Sequence, residues 1–361
     1  MAQDPGRGLP RLSDVATLAG VDRSVVSRVV NGDPSLKIRP ETRERILGAI
    51  RTIGYRPNAA ARSLRTSQSR TIGLVIPDYG NPVYAEIISG AETAARGAGH
   101  VLLTGSIGRD SSAIQEFMEL IGHGRVDRLL IAGVHLSRAA IAELEKLGTP
   151  WLLVNSQQAG VPWTLSLDDR RAASLAVLHL VELGHRRIAY LHGPTRSDTA
   201  RRRYDGYKQA LEKRGLAVDP TLVVRGDYTA PGGRLAMQEL LEPGREFTAI
   251  LAANLTSAFG AVHEANRRGI RVPEDISIIA IHNLDLADYL LPSLTTVRMP
   301  LFELGRQAVE LVLTRDGDSR VSEVIREPLE LMSRGSTGPV RMDRGPKPNP
   351  AGLSKGRKVN A

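Results

Sequence analysis

The strongest constraint on the fold is a rhythm of apolar runs that repeats through most of the chain. From Thr71 onward, runs of strand length alternate with stretches of helical periodicity, at intervals of about 25–30 residues. Eight runs have this character: TIGLVI, HVLLTG, RLLIAG, PWLLVN, RRIAYLHG, PTLVVRG, FTAILAAN and DISIIAI. Such alternation is typical of parallel sheets covered by helices on both faces. Eight strands suit two lobes better than one sheet, and we place crossings near Leu167–Asp169 and Val297–Met299.

Residues 12–31, LSDVATLAGVDRSVVSRVVN, predict two short amphipathic helices joined by a turn at Gly20. The first has an apolar face at the i, i+3, i+4, i+7 spacing, made by Leu12, Val15, Ala16 and Ala19. The second has a polar face of Arg23, Ser24, Ser27 and Arg28, opposite an apolar face of Val25, Val26, Val29 and Val30. Guanidinium and hydroxyl groups on a narrow helix suit recognition in the DNA major groove. An ordinary amphipathic hairpin with a solvated polar face is the alternative.

Charge is distributed unevenly along the 361 residues. Residues 1–65 carry 12 basic and 6 acidic side chains, a net charge of +6, and residues 334–361 also carry +6. The residues between them carry −3. A basic module beside a mildly acidic body is typical of a polyanion-binding head on a body with another task. The last segment is rich in Gly, Pro, Lys and Arg without periodicity, which predicts a disordered tail.

Composition and motifs exclude several classes of protein. No run approaches the roughly 20 apolar residues of a membrane span, and the N-terminus MAQDPGRGLPRL lacks the apolar core of a signal peptide. Cysteine is absent, which excludes disulfides and thiolate chemistry. No metal-ligand spacing, nucleophile–base pair or phosphate-cradling glycine loop is present. We therefore expect a cytoplasmic protein that is not an enzyme, with no cofactor, metal or membrane partner.

A third helix and a short linker follow the first two helices. PETRERILGAIRTIG predicts a helix that starts at Pro40 and ends at Gly54. The next segment, YRPNAAARSLR, has room for only about seven helical residues, too few to be stable alone in water. Its one large apolar side chain is Leu64, and a leucine between arginines can act as a wedge in a minor-groove base step. A flexible linker with a chance leucine is the alternative.

Together these segments resemble the LacI/GalR family of transcriptional repressors. The resemblance rests on LSDVATLAGVDRSVVSRVVNG, PETRERILGAIRTIGYRPNAAARSLRT and TIGLVIPDYGNP, and it continues through LGHRRIAYLHGP, AILAANLTSAFGAV, VPEDISIIA and PSLTTVRMP. It covers roughly residues 11–333 and implies an N-terminal all-α helix-turn-helix domain with a hinge helix. An α/β two-lobed core like that of periplasmic binding proteins follows. The resemblance also implies a homodimer that binds a pseudopalindromic operator in double-stranded DNA.

For DNA binding, the resemblance implies base reading by Arg23, Ser24 and Arg28, and a groove-opening wedge at Leu64. The full expected set is Arg23, Ser24, Ser27, Arg28, Asn31, Asn58, Ala61 and Leu64. The start of each helix departs from the family pattern. Arg11 stands where Thr or Ser commonly caps the first helix, and Asp22 replaces a Ser that commonly opens the second.

A small-molecule effector is expected beyond the carboxyl ends of the strands, in the cleft between the lobes. The resemblance implies that Arg203 in TARRRYDGY is the pocket arginine and that Tyr228 stacks on the ligand. An edge aromatic that covers the core is the alternative for Tyr228. The expected effector-binding residues are Asp78, Asn81, Tyr84, Asn155, Arg203, Tyr228, Asn254 and His282.

Two positions in this predicted cleft depart from the family. In IIAIHNLD, His282 replaces an aspartate that accepts hydrogen bonds from sugar hydroxyls, and Leu255 replaces the usual Asp after Asn254. These changes remove negative charge and introduce a group that titrates near neutral pH. We therefore expect an effector that is anionic or more apolar than a neutral sugar bound through an Asp. The alternative is that His282 makes a structural bond in a degenerate pocket.

The expected organisation has five parts. Residues 1–10 form a disordered N-terminus, 11–56 the helix-turn-helix domain, 57–69 the hinge helix and linker, 70–333 the effector-binding and dimerisation core, and 334–361 a disordered basic tail. Within the core, lobe 1 takes about 70–167 and 299–325, and lobe 2 takes about 168–298 and 326–333. The predicted function is a sequence-specific transcriptional regulator, most simply a repressor. A solute-binding protein of the same two-lobed fold without a regulatory role is the alternative.

Overall fold

The structure is a computed structural model of the chain, and it describes residues 10–55, 68–107, 118–119, 121–314 and 321–341. Internal contacts divide the chain into two compact units, Met1–Arg70 and Thr71–Ala361. We call the described residues 10–55 the head and those from 71 to 341 the body, and each is described by itself. Within these stretches, no helix is both long enough and apolar enough to cross a membrane.

The head consists of three helices around one small core. They are α1 (Leu12–Ala19), α2 (Arg23–Val30) and α3 (Pro40–Ile53). Val15, Val26 and Ile46 are fully buried where the three helices meet. Gly20 joins α1 to α2 with φ of 62°, a left-handed conformation that glycine adopts without a steric penalty. The three helices predicted from apolar periodicity are therefore confirmed.

Carboxylates stabilise the N-termini of α1 and α2. Asp22 caps α2 by accepting a hydrogen bond from the Ser24 backbone N–H at 2.7 Å. The hydrogen bonds from Ser24 hold the pKa of Asp22 below its usual value. Arg11 lacks a capping hydroxyl, but Asp14 accepts a hydrogen bond from its backbone N–H at 2.8 Å. Both acids lie at helix N-termini, where negative charge is favourable.

Lobe 1 of the body is built on a six-stranded parallel sheet. Its strands are β1 (Thr71–Ile76), β2 (Val101–Ser106), β3 (Arg128–Ala132), β4 (Trp151–Val154), β5 (Trp163–Leu167) and β11 (Val321–Ile325). The strand order is β11-β5-β4-β3-β1-β2. The lobe also contains the helices α4 (Val83–Gly97), α5 (Arg138–Lys146) and α10 (Leu301–Thr314). Gly90 of α4 allows close approach of α10, because a Cβ there would lie 1.9 Å from the Phe302 carbonyl oxygen.

Lobe 2 has a second six-stranded sheet. Its strands are β6 (Ile188–His192), β7 (Val223–Arg225), β8 (Ala249–Ala252), β9 (Ser277–Ile281), β10 (Thr295–Arg298) and β12 (Glu330–Met332). The order is β12-β10-β9-β8-β6-β7, and all neighbours are parallel except β12, which runs antiparallel to β10. The helices are α6 (Asp169–Glu182), α7 (Asp198–Lys213), α8 (Ala230–Leu240) and α9 (Leu255–Arg267), with short 3-10 turns at Pro220–Leu222 and Asp285–Tyr289.

The described chain passes between the two lobes three times: after β5, after β10 and after β11. Loops that follow the strands bring the lobes into contact. The backbone N–H of Gln157, in the loop after β4, donates to the Asp198 carboxylate at the start of α7, at 2.8 Å. The carboxyl edges of the two sheets therefore border a common cleft.

The eight apolar runs are all strands, and the predicted fold class is confirmed. Four strands of the described chain, β5, β10, β11 and β12, were not predicted. In β11 the three central residues are exposed, so no apolar run marks it. In β5 a buried hydroxyl interrupts the apolar pattern, and Thr164 meets Ser322 of β11 across the sheet at 3.0 Å. Strands that are exposed at a sheet edge, or that carry buried hydroxyl residues, lack the continuous apolar run on which the prediction relied.

We predicted a disordered tail over residues 334–361, and this prediction is wrong for its first eight residues. Residues 334–341 run along lobe 2 and are held by hydrogen bonds. Ser336 is fully buried and its hydroxyl donates to the Ile278 carbonyl at 2.6 Å. The Val340 N–H donates to the Leu183 carbonyl at 2.9 Å. These bonds have no regular spacing, so periodicity gave no sign of them; residues 342–361 lie outside the described chain.

Candidate functional site

The polar face of α2 is presented to solvent. Arg23, Ser24 and Arg28 are exposed and Ser27 is half-buried, while Val26 and Val29 on the opposite face pack into the head core. The helix therefore combines an apolar face packed into the core with a solvent-facing side that carries two cations and two hydroxyls. This surface can donate hydrogen bonds to phosphates and to base edges.

Arg28 is braced by the loop that follows α2. Its Nε donates to Asp33 Oδ2 at 2.7 Å, and its Nη2 donates to the Ser35 hydroxyl at 2.9 Å. The bonds from Ser35 and then from Arg28 lower the pKa of Asp33 to about 2. The Arg28 side chain remains 45% exposed. The loop thus orients the guanidinium without burying it, a role that the sequence analysis did not assign to Asp33 or Ser35.

Asn31 ends α2 and bonds back onto it. Its amide donates to the Ser27 backbone carbonyl and lies 3.4 Å from the Ser27 hydroxyl. These two predicted DNA-binding residues therefore support each other at the last turn of the helix. The other three predicted DNA-binding residues, Asn58, Ala61 and Leu64, lie outside the described residues.

In the body, Arg203 is the centre of a buried polar cluster. It lies on α7 and is 2% exposed. Its Nε donates to Asp169 at 2.7 Å, its Nη1 to the Ala253 carbonyl at 2.6 Å and its Nη2 to His282 Nε2 at 2.6 Å. Burial alone would lower the pKa of Arg203, but the fully buried Asp169 overrides this effect and raises it. The guanidinium is charged, oriented and neutralised by the protein itself.

Helix packing explains why Arg203 meets Asp169. Gly206, one turn along α7, faces the Arg170 carbonyl of α6, and a Cβ there would lie 2.2 Å from that oxygen. Only glycine permits this approach of α6 and α7. Arg202 is also buried; it pairs with Asp169 at 2.8 Å and with Asp198 at 2.7 Å.

Asn254 and Tyr228 are brought together, but the amide of Asn254 is engaged by the protein. Its Oδ1 accepts from the Ser257 N–H at the start of α9, and its Nδ2 donates to the Tyr228 carbonyl, each at 3.0 Å. The Arg203 guanidinium lies 5.8 Å from the centre of the Tyr228 ring. Asn254 therefore positions Tyr228 next to Arg203.

Lobe 1 contributes Tyr84 to the same region. Tyr84 is buried, and a Cβ at Gly133 would lie 2.2 Å from its hydroxyl. Burial, and then the neighbouring Tyr228 phenol, raise the pKa of Tyr84, whereas nearby Arg203 acts in the opposite direction. A tyrosine of lobe 1 thus faces the predicted ligand residues of lobe 2.

Two further predicted residues of lobe 1, Asp78 and Asn81, form a turn before α4. Asp78 accepts a hydrogen bond from the Gly80 N–H at 2.8 Å, and Asn81 accepts one from the Val83 N–H at 3.3 Å. Asp78 is exposed and Asn81 is half-buried. Their carboxylate and amide oxygens shape the entry to α4, so Tyr84 is the member of this group that reaches the buried cluster.

His282 and Asn155 each retain a buried polar atom without a partner. His282 is 2% exposed, and its Nδ1 has no hydrogen-bond partner among the described residues. The Oδ1 of Asn155 is also buried and has no hydrogen-bond partner among the described residues. Burial, and then the nearby Arg203 charge, hold the pKa of His282 well below its usual value, so the ring is neutral. An unsatisfied buried polar group costs about 1–3 kcal/mol, which a ligand would relieve.

Backbone strain marks the same positions. In the described chain, four residues other than glycine have positive φ: Arg70, Asn155, Tyr228 and His282. Asn155 follows β4 directly and His282 follows β9 directly, both at the carboxyl edge of a sheet. Such conformations cost on the order of 1–3 kcal/mol and concentrate at functional sites. Three of the four are residues that the sequence analysis assigned to the effector.

Sequence analysis missed the acids that organise both sites. Asp169 and Asp33 neutralise and orient the arginines: Asp169 lies 34 residues from Arg203 in the chain, and Asp33 lies five residues after Arg28, in the loop that follows α2. The available signal for Asp169 was its place at the predicted crossing between lobes. No group of three or more His, Cys, Asp or Glu residues suited to a metal ion is found among the described side chains.

A helix-turn-helix head joined to a two-lobed α/β body defines a class of protein, the DNA-binding regulators of transcription. Comparisons with known proteins agree. Residues 11–58 match the model of bacterial regulatory proteins of the lacI family, and residues 177–337 match the periplasmic binding protein-like domain. The chain therefore belongs to the LacI family of transcriptional regulators.

Individual relatives are similar over nearly the whole chain. HTH-type transcriptional repressor CytR of Escherichia coli (strain K12) is 36% identical over 330 residues, which cover 90% of this chain and 96% of the relative. A lac repressor dimer bound to operator and the anti-inducer ONPF is 27% identical, with a TM-score of 0.81 over 92% of this chain and 100% of that one. A LacI family regulator from Enterococcus faecium with bound ribose is 31% identical, with a TM-score of 0.67 over 75% of this chain and 100% of that one. HTH-type transcriptional regulator GalR of the same Escherichia coli strain is 35% identical over 87% of this chain and 91% of the relative, and CytR and GalR are both named as regulators of transcription rather than as enzymes.

Proposed function

We propose that this chain forms a homodimer that binds a pseudopalindromic operator, and that a small-molecule effector in the cleft between the lobes controls this binding. One observation carries the proposal. At strained positions of the body, the buried Oδ1 of Asn155 and Nδ1 of His282 have no hydrogen-bond partner among the described residues, while the head of the same chain exposes a cationic helix face. The similarity to a lac repressor dimer on its operator supports the same arrangement.

On the DNA side, α2 enters the major groove, and its exposed face reads base edges. Arg23, Ser24 and Arg28 are the base-reading residues, and Ser27 with Asn31 supports the last turn. One helix of eight residues contacts few base pairs, so specificity requires two heads related by a twofold axis. From the sequence, the linker residues Asn58, Ala61 and Leu64 contact the minor groove between the two half-sites.

Exposed apolar side chains support the homodimer. Leu286, Tyr289 and Leu291, in and beside the 3-10 turn of lobe 2, are 62%, 82% and 88% exposed. In lobe 1, Val101 and Leu103 project from the edge strand β2 and are 68% and 40% exposed. Large apolar side chains left in water at two places in the body indicate surfaces that a second copy covers.

Effector control follows from the two lobes sharing one cleft. Tyr84 of lobe 1 and Arg203, Tyr228 and His282 of lobe 2 border it, so a ligand between them favours one relative position of the lobes. The Gln157–Asp198 contact is an existing link across this boundary. A change in operator affinity of about 5–150-fold, equal to ~1–3 kcal/mol, is the usual strength of such coupling.

Selection from randomised duplex DNA tests the proposal. Full-length protein is incubated with the duplex library at physiological salt, with and without a metabolite mixture, and the bound fragments are sequenced. We expect a pseudopalindromic motif whose recovery changes with the mixture. Recovery of no preferred motif under any condition contradicts operator binding, and a motif whose recovery never changes contradicts effector control.

A further inference from the structure

We propose that His282 determines which effectors the cleft accepts. Its imidazole, fixed by Arg203, presents Nδ1–H to the ligand and selects uncharged compounds that carry a hydrogen-bond acceptor at that point. This inference rests on the proposed effector function of the cleft and concerns the chemistry of one contact within it. A carboxylate at this position would accept hydrogen bonds, so the polarity of the contact is the reverse of the family pattern.

The tautomer of His282 follows from its partner. Its Nε2 lies 2.6 Å from Arg203 Nη2, and a guanidinium only donates hydrogen bonds. Nε2 must therefore be the unprotonated acceptor, and the single proton of the neutral ring lies on Nδ1. That nitrogen is buried and has no partner among the described residues. The site thus contains a donor of known identity that the protein itself leaves unused.

The backbone holds this donor at the edge of the cleft. His282 directly follows β9 and has φ of 72°, in the left-handed region that a residue with a side chain rarely adopts. Its backbone N–H donates to the Val297 carbonyl of β10 at 2.9 Å. The next residue, Asn283, is bound by Thr296 and by Arg334, at 2.7 and 2.9 Å. The ring is thus fixed from both sides.

The charges around His282 are already balanced. Arg203 of α7 faces the ring and pairs with Asp169 of α6. Arg202 pairs with Asp169 and with Asp198, and Asp198 also pairs with Arg201. The two buried cations, Arg202 and Arg203, therefore meet two carboxylates, and the third cation, Arg201, has a side chain that is 62% exposed and hence solvated. An anionic ligand would add a buried charge without a counter-charge, which is strongly unfavourable. This balance argues against the anionic effector that the loss of an aspartate at position 282 first suggested.

Protonation of His282 cannot supply the positive charge that an anionic ligand would need. A proton on Nε2 would turn it into a donor facing the donor Nη2 of Arg203, so the bond between them would break. His282 therefore makes a structural bond through Nε2, while its Nδ1 has no partner among the described residues. His185 shows the fully structural case: its Nδ1 meets Thr248 and its Nε2 meets Ser277 and Gly338, at 2.9–3.0 Å.

The first experiment measures the tautomer by imidazole ¹⁵N–¹H NMR on the full-length protein. We expect His282 to be protonated on Nδ1 alone, with no change between about pH 5.5 and 8. His185 is an internal control of opposite tautomer, because the Gly338 carbonyl requires a proton on its Nε2. The His282→Asn variant assigns the signal. A proton on Nε2 of His282, or a titration near its ordinary pKa, overturns the proposal.

The second experiment isolates the donor with an isosteric pair of variants. His282→Asn keeps an N–H donor near the Nδ1 position, whereas His282→Asp replaces it with an acceptor. Calorimetry on wild type and both variants uses matched probes: D-ribose and D-galactose, their phosphate monoesters, cellobiose and inorganic phosphate. Melting temperatures confirm that both variants fold.

We expect uncharged probes to bind wild type at least tenfold more tightly than their phosphate esters. Their affinity should fall less than about threefold in His282→Asn and about tenfold or more in His282→Asp, the effect of one hydrogen bond. Tighter binding of a phosphate ester, equal binding by the two variants, or no binding by any uncharged probe overturns the proposal. The proposed function fails by a different result, namely a bound probe that leaves operator affinity unchanged.

Discussion

The head and the body each centre a candidate site on an arginine, but the two arginines are held in opposite ways. Arg28 is 45% exposed, and its partners Asp33 and Ser35 lie five and seven residues away in the chain. Arg203 is 2% exposed, and its partners lie 34, 50 and 79 residues away. The first site is assembled by one short loop, and the second exists only when lobe 2 is folded.

This difference matches what each site is proposed to bind. A DNA duplex is a large polyanion that approaches from solvent, so an exposed cation oriented by a local brace is sufficient. A small ligand has to be enclosed, so its polar partners must lie in the interior without an unbalanced charge. In the proposed function, the head therefore recognises DNA through accessible charge, and the cleft recognises its ligand through a few buried hydrogen bonds.

Replacing the aspartate of each site should give the largest difference in unfolding free energy. Asp169→Asn leaves Arg202 and Arg203 buried without full compensation and should destabilise the body by about 3–5 kcal/mol. Asp33→Asn removes an exposed brace and should leave the unfolding free energy of the body unchanged. Urea unfolding followed by circular dichroism measures both. Equal stability of Asp169→Asn and wild type would mean that the two arginines are not held as described.

Loss of Arg28 should affect operator binding strongly and stability little. Arg28→Ala is expected to weaken operator binding by about 1–3 kcal/mol with relaxed base preference, because a bidentate contact to a base is lost. Arg51→Ala is the matched control, since Arg51 lies on α3 with its side chain 70% exposed. Fluorescence anisotropy on the selected operator and its point variants measures both. An equal loss of operator affinity in the two variants would mean that Arg28 contacts phosphate without base specificity.

Leu64→Ala should lower operator binding while leaving nonspecific binding nearly unchanged. A wedge leucine acts only where the central base step opens, so random DNA does not report its loss. The comparison requires anisotropy on the operator and on a scrambled duplex of the same length. Equal losses on both duplexes would favour the chance-leucine interpretation of the linker.

The smallest expected effect is the protonation of Asp33, the carboxylate that orients Arg28. The folded-state pKa of Asp33 is lowered to about 2, so the brace contributes fully above the ordinary pKa and is lost as the pH falls through about 2. Carboxyl ¹³C NMR measures this value directly. Ser35→Ala should raise the pKa of Asp33 more than Arg28→Ala, because the Ser35 hydroxyl is the larger cause. The reverse order would assign the brace to the ion pair.

Periodicity predicted the elements that bury one face or both. The three head helices and the eight apolar strands have this property, and they were found where expected. Strand β11 was missed because it is exposed at the centre, and residues 334–341 were missed because their hydrogen bonds follow no repeat. The predicted cleft residues were chosen at strand ends, and Arg203, Tyr228, Asn254 and His282 do share contacts there.

By itself, the sequence determined the helix pair of the head, the alternation of the body and the residue types on each exposed face. These depend on spacings of a few residues, and local backbone geometry converts such spacings into faces. Only the tertiary structure decided that Nε2 of His282 meets Arg203 and that Arg203 is paired with Asp169. The physical reason is that a tautomer and a charge balance depend on partners that are distant in the chain and meet only in the folded interior.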